Sequence, residues 1–270
     1  MKNNLTALLL IAVLLFVFGF STLFTETYAQ PNQKKVEVGE EITYVVKYLT
    51  FEIGEIKLIV QKEQVVDGDT LYSAIAYINS YEGIPFVDLH QIYETKFDTK
   101  QISHYFKGSV LAEDTTYTQY HFNKKKNNIQ IVKGRERTND IWTDTLITND
   151  RDCLDGLSLF YFARMRTGHK NKVTVPVFIN EKIEKTDINF YNEIEDIDID
   201  AVDYDISCVR LDGETEFRGI FGLTGYFEGW FSNDQYAVPI IAKMQVLIGS
   251  ITLELKHWKK KGWMPPKYQD

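Results

Sequence analysis

What this 270-residue sequence lacks narrows its chemistry first. It holds only two cysteines, Cys153 and Cys208, too far apart in the chain for a redox pair or a zinc knuckle. Histidine is sparse too: His90, His104, His121, His169 and His257. None stands at ligand spacing from another. His104 and His121 are the one pair that a hairpin could set face to face, and both read as half-exposed strand residues. There is no Gly-x-Ser-x-Gly elbow, no His-Glu-x-x-His and no phosphate-cradling glycine loop. No catalytic residue, metal site or cofactor is therefore assigned, and the chain is not read as an enzyme. Positive charge is in deficit, with a net charge of −8. That argues against nucleic acid as a partner, since binding it needs a basic face. It also opposes electrostatic docking on an anionic membrane.

Long apolar runs are missing as well, with one exception at the N-terminus. Met1-Lys2-Asn3-Asn4 is a short cationic start, and Leu5–Phe20 is apolar apart from Thr6 and Gly19. Thr27-Tyr28-Ala29 then offers a small-x-small cleavage site before Gln30. This order is that of a secretory signal peptide over residues 1–29. An uncleaved anchor helix is the alternative, although the run falls short of the ~20 residues that span a bilayer. No cysteine lies near the cleavage point to accept a lipid. The expected location is the periplasm or cell envelope, without membrane contact once the signal is removed. Residues 30–270 are expected to form a single, mostly β domain.

Aromatic residues, by contrast, are plentiful at 14%, and most sit in strand-like alternation. The clearest stretch is Tyr226–Leu255, which reads as three strands. Ser232-Asn233-Asp234 and Gly249-Ser250 make the turns. Ile240, Ala242, Met244, Val246 and Ile248 share one face, and Ile251, Leu253 and Leu255 line the next strand. Upstream, Ile42, Tyr44, Val46 and Tyr48 alternate with polar residues, as do Ile56, Leu58 and Val60. Leu71–Ile78 is apolar on both faces, which implies a layer over the sheet. Asp67-Gly68 and Asp212-Gly213 carry the hairpin signal, Lys124-Lys125-Lys126-Asn127 reads as a solvated hairpin tip, and Pro176 suggests an edge strand. Cys153 falls in a polar loop and Cys208 in an apolar strand. They are expected to be free thiols, with a bridge as the alternative that an exported chain allows.

One stretch, Asp152–Gly168, breaks the β pattern. Leu157, Phe160, Tyr161 and Arg164 share a helical face, and Leu159, Phe162 and Met165 cover most of the rest. A helix apolar nearly all round is buried. Asp152 is placed to cap it, with Asp155 near the positive end of the dipole, and Gly168 to stop it. Gly156 weakens its first turn, so packing has to hold it.

Two runs invite a functional reading and receive a plainer one. Asp196-x-Asp198-x-Asp200 has carboxylates enough for calcium. Its intervening Ile197 and Ile199 are instead those of an amphipathic strand, with a turn or bulge near Ala201. Trp258 and Trp263 among lysines read as a packed tail rather than a membrane anchor.

Three segments together resemble an exported family, domain-of-unknown-function family 3108. They are Gly39-Glu40-Glu41-Ile42-Thr43-Tyr44 with Gly54, then Asp155-Gly156-Leu157-Ser158-Leu159-Phe160-Tyr161-Phe162-Ala163-Arg164, and last Gly229-Trp230-Phe231-Ser232-Asn233-Asp234 with Val238-Pro239 and Gly249. The resemblance implies an exported, mostly β domain and supplies no activity and no catalytic residue. The expected fold is all-β: a large, strongly curved antiparallel sheet, half-open and barrel-like, with one helix packed on its concave side. A β-sandwich is the alternative. Two functions fit. One is a binding or carrier module for an apolar ligand or chain segment, with Trp230, Tyr44, Tyr48 and Phe160 as candidate lining residues. The other is a structural or assembly protein of the envelope with a solid interior.

The exported protein is expected to begin at Gln30, directly after Ala29. N-terminal sequencing of the envelope-associated form tests this, and recovery of Met1 there makes the protein an anchored one.

Overall fold

The computed structural model describes residues 36–66, 68–85, 87–215, 217, 224–246 and 249–269. The signal-peptide and cleavage-site expectations, at residues 1–29 and Gln30, lie outside these residues. The N-terminal half contributes β1 (Glu41–Tyr48), β2 (Phe51–Val66), β3 (Asp69–Ser80), β4 (His90–Asp98), β5 (Ser103–Val110), β6 (Thr116–Asn123), β7 (Asn128–Arg135) and β8 (Ile141–Thr148). A helix, α1 (Gly156–Arg164), follows. The C-terminal half adds β9 (Asn171–Ile179), β10 (Lys182–Ile197), β11 (Ile206–Thr215), β12 (Gly225–Ser232), β13 (Pro239–Gln245) and β14 (Ser250–Lys259).

These strands form one antiparallel sheet of fourteen, in the order β8-β7-β6-β5-β4-β3-β2-β1-β14-β13-β12-β11-β10-β9. It is a single sheet, so the two-sheet sandwich alternative does not hold. Every neighbour is a neighbour in sequence except the central pair, β1 with β14, the first strand and the last. The two free edges, β8 and β9, are consecutive in the chain, and the segment that joins them carries α1.

The sheet curls until those edges approach. Phe178 on β9 meets the Tyr120 ring of β6 edge-on at 4.8 Å between centroids. Leu154, just before α1, pairs with β9 through Leu154 N to Pro176 O (3.0 Å) and Phe178 N to Leu154 O (2.7 Å). Its neighbour Cys153 accepts from Ser103 N at the start of β5 (3.1 Å). The shape is the expected half-open barrel. Pro176 does sit on an edge strand, and its missing N–H costs the ladder nothing there.

α1 lies inside the curl and is buried on both sides. Leu157 and Tyr161 join the core under β1–β4, β13 and β14, with the Tyr161 ring stacked 4.9 Å from Phe97. Leu159, Phe162 and Ala163 join a second core under β9–β12. Asp155, not Asp152, caps the helix: it accepts from Leu157 N at 2.8 Å and Ser158 N at 2.9 Å. Asp152 is exposed and pairs instead with Lys124. Asp155 wins because the bridge through Leu154 fixes the chain one residue before it. Its other carboxylate oxygen accepts from Thr95 and Ser103, each at 2.6 Å, which ties the helix start to β4 and β5.

One other local expectation gives way. Asp212-Gly213 is no hairpin turn, because β11 runs straight through it. Gly213 is needed for a different reason. A Cβ there would lie 2.3 Å from Asp187 O and 2.4 Å from the Phe227 ring, so the neighbouring ring occupies the space. His104 and His121 lie on strands, as read, and do not face each other. His121 opposes Tyr105 across the ladder, and strand alternation turns His104 to the other face. Among the described residues, no group of three or more potential metal ligands comes together. Cys153 and Cys208 are both free and buried, and burial pushes the Cys153 thiol up to about 12.

Gly213→Ala is expected to cost about 1–3 kcal/mol, the usual cost of overpacking, although alanine ordinarily improves a strand over glycine. Urea unfolding of both proteins measures it, and an unchanged midpoint would show that Phe227 moves aside freely.

Candidate functional site

Two features of the concave interior stand out, one polar and one apolar. The polar one sits at the C-terminal end of α1. Arg164 is wholly buried. Its guanidinium grips the Glu40 carboxylate with two nitrogens, Nη2 to Oε2 at 2.9 Å. Its Nε donates to the carbonyl of Tyr236 at 2.9 Å. Lys260, also buried, donates to Glu40 and to Glu37, both at 2.8 Å, and its ammonium lies 4.0 Å from the Tyr236 ring centre. Arg164, Lys260 and Glu40 are thus buried together, and Glu37, 40% exposed, completes the balance from the surface. Burial alone raises the Glu40 carboxyl, but Arg164 and Lys260 outweigh it and hold it below its ordinary range.

The Tyr236 carbonyl belongs to the tight loop after β12, and that loop is built by Asp234. Its Oδ1 accepts from Tyr236 N (2.8 Å), Ala237 N (3.0 Å) and Ser232 Oγ (3.0 Å). Its Oδ2 accepts from Trp263 Nε1 at 2.7 Å. Trp263 in turn stands edge-on to Trp258. The motif residues at Glu40, at Asp155 and Arg164, and at Ser232 and Asp234 are therefore all hydrogen-bonded parts of the framework. Every acid among them is engaged in hydrogen bonds or ion pairs.

The apolar feature is a cleft between α1 and the strands beneath it, open to solvent on one side. From the helix it is lined by Gly156, Leu159, Phe160 and Ala163; from the sheet, by Tyr44, Ile56, Leu58, Leu211, Phe231, Met244 and Leu253, among others. Its hollow measures about 120 Å³. Three larger hollows, of about 240, 440 and 350 Å³, are grooves rich in polar and charged side chains near the surface. The apolar cleft is the better site, because small-molecule sites are mostly apolar with few polar groups.

The hollow has a simple origin. Gly229 and Ala242 pair directly across β12 and β13, and both line it together with Gly156 and Ala163 of the helix. Where sheet and helix would normally interdigitate, these four residues offer almost no side chain. Phe231 leans over Gly229, whose Cβ would lie 3.0 Å from the ring.

The four candidate lining residues divide. Tyr44 and Phe160 line the cleft, and the Tyr44 hydroxyl donates to Pro239 O at 3.2 Å. Tyr48 packs instead over Gly249 at the end of its strand. Trp230 turns to the other face of β12 from Gly229 and Phe231, by strand alternation. Its indole donates to Glu195 at 2.7 Å, and Lys243 lies 5.0 Å over its ring. Nearby, Arg210 stacks on Tyr191 and approaches Asp212 and Glu228. Trp230 is itself buried, at 8% exposure, and packs in the same core as Leu157 and Tyr161 rather than along the cleft.

The comparisons come to this. The family described as "Protein of unknown function (DUF3108)" matches residues 43–256. No curated protein matches the sequence. In structure, the chain is similar to a β-barrel-like protein of the domain of unknown function DUF1849 from Brucella abortus, at 8% identity and TM-score 0.50, covering 82% of this chain and 97% of that one. It is also similar to a candidate exported protein with a YmcC-like fold from Bacteroides fragilis, at 10% identity and TM-score 0.37, covering 84% and 98%. A candidate lipoprotein from Parabacteroides distasonis has 9% identity and TM-score 0.36, covering 84% and 97%. At such identities the likeness is one of fold alone, and fold does not carry function.

Glu40→Gln is expected to destabilise the protein by about 3–5 kcal/mol, because it leaves two buried cations undercompensated. The pH dependence has a definite sign. A depressed folded pKa gives stability that is fully present above the ordinary value of 4.5 and is lost as pH falls through the lower folded value. Denaturant unfolding at pH 7 and at pH 3 should therefore show the gap between wild type and Glu40→Gln narrowing in acid. A constant gap means that Glu40 is not held ionised by Arg164.

Proposed function

The chain belongs to the DUF3108 family, and we propose that it is an exported binding module of the cell envelope whose apolar cleft holds an apolar ligand. One observation carries this reading: an apolar hollow stands between α1 and the sheet, and the small residues Gly156, Ala163 and Ala242 are among those that line it. An interior under selection for stability alone fills such a space, since an empty hollow costs stability in proportion to its volume. Here glycine and alanine stand at positions on both the helix and the sheet where larger apolar residues would close it. The remaining lining, with Leu159, Phe160, Leu211 and Phe231, is of the kind that desolvates a ligand. The export part of the proposal rests on the cationic start, the apolar run and Thr27-Tyr28-Ala29. No catalytic step is proposed. Glu40, Asp155 and Asp234 are committed to the framework, and the net charge of −8 makes nucleic acid an unsuitable partner.

A second reading, an envelope assembly protein without a ligand, has its own observation. Edge strand β8 is largely exposed and carries Ile141, Trp142 and Leu146 at its surface. The opposite edge, β9, is protected by Pro176 and by the Leu154 bridge. An uncovered apolar edge is a surface on which another chain can pair.

The two readings separate on Ala242→Leu, which places a larger side chain in the hollow. A ligand site predicts that the wild type binds a fluorescent fatty-acyl probe and that the variant binds at least about tenfold more weakly while gaining about 0.5–2 kcal/mol from cavity filling. Fluorescence titration and thermal unfolding of both proteins measure the pair. If the wild type takes up no probe, the carrier reading is wrong and the assembly reading stands.

A further inference from the structure

We infer that the occupant of the cleft is the end of an unbranched alkyl chain that carries no charged group into the mouth of the cleft. This rests on the ligand reading above and concerns which ligand class the same site takes. The first argument is size. The hollow of about 120 Å³ is slightly smaller than a cavity of roughly 150 Å³ known to stay dry and admit benzene, so it takes roughly five or six carbon atoms. A whole lipid does not fit, and the rest of a longer chain has to run out through the open side.

The second argument is shape. Small residues line the space on both elements, Gly156 and Ala163 on α1 and Ala242 on the sheet. A missing side-chain layer between packed elements leaves a slot about one carbon chain thick, since carbons in contact lie roughly 3.5–4.0 Å apart. A slot suits a straight chain better than a branched one.

The third argument is charge. The Tyr44 hydroxyl is committed to Pro239 O. Arg164 and Lys260, the nearby buried cations, are committed to Glu40. The one charged residue on the lining is Glu228, an acid that Arg210 and Lys243 approach from the outer face at 3.6 and 3.9 Å. A carboxylate head would thus meet no uncommitted cation among the described lining residues. An unpaired charge taken out of water is strongly disfavoured.

The experiment is isothermal titration of the protein, residues 30–270, with n-alkanols from butanol to decanol, with hexanoate, and with benzyl alcohol. The expected result is a Kd that tightens roughly fourfold per methylene, the factor for burying one CH₂, and levels off beyond roughly six carbons. Hexanoate at pH 7 should bind at least about tenfold more weakly than hexanol. Both Ala242→Leu and, as a milder change, Ala163→Val should move the levelling point to shorter chains. Affinity that keeps climbing through decanol overturns the bounded slot. Hexanoate as tight as hexanol overturns the exclusion of charge, and benzyl alcohol tighter than hexanol overturns the straight chain. If the fatty-acyl probe binds and no alkanol does, this inference fails while the ligand reading stands. If neither binds, both fail.

Discussion

A guanidinium with no exposed surface is a demanding object to keep inside a protein, and the architecture is arranged around satisfying Arg164. Its charge has to be balanced where water cannot help. The balance comes from four separate parts of the chain: Glu37 and Glu40 ahead of β1, α1 itself, the Tyr236 carbonyl after β12, and Lys260 beyond β14. Misplacing any of them leaves a buried charge or carbonyl unpaired. Hydrophobic contact alone would let α1 slide along the concave face, since the helix is apolar on nearly every side. The ion cluster at one end and the Asp155 cap at the other fix its depth and rotation. The width of the cleft is fixed with them, because Gly156 and Ala163 line it only in that position.

Much of the fold was legible in the sequence, and the reasons are local. Two-residue alternation found the strands, and the failure of alternation at Asp152–Gly168 found the helix. Gly68, with its positive φ, marks the β2–β3 turn as the Asp-Gly signal promised. The same signal failed at Asp212-Gly213. There the glycine answers to Phe227 on the next strand, a neighbour that a local reading does not see. The pairing of β1 with β14 was equally invisible, because nothing in either strand names its partner.

The candidate site was half legible. Tyr44 and Phe160 were found because aromatic residues on apolar faces draw attention. Trp230 drew it too, and it is buried, but it packs in the core away from the cleft, with its indole N–H satisfied by Glu195. The residues that make the hollow were missed altogether. Glycine and alanine in a strand or helix carry no positive signal, and an empty space is visible only when both of its walls are known. Ala242 had even been placed correctly on its face, but its smallness acquires meaning only opposite Ala163 and Gly156. Glu40 and Arg164 did stand among the motif residues, yet their pairing across 124 positions needed the fold.

The position of the β1–β14 seam has a consequence for how the molecule is made. Glu41 and Lys259 lie side by side at the centre of the sheet although 218 residues separate them. A chain delivered N-terminus first can zip β2 through β8 from local hairpins as each emerges. Glu40 and β1 must then wait, with one side of their ladder unmet, until the last strand arrives. Closing so long a loop is entropically slow to initiate. Until β14 arrives, the paired strands β1 to β8 form a ribbon with one open flank at β1. A C-terminal truncation that reaches into β14 removes the middle of the finished sheet rather than its end.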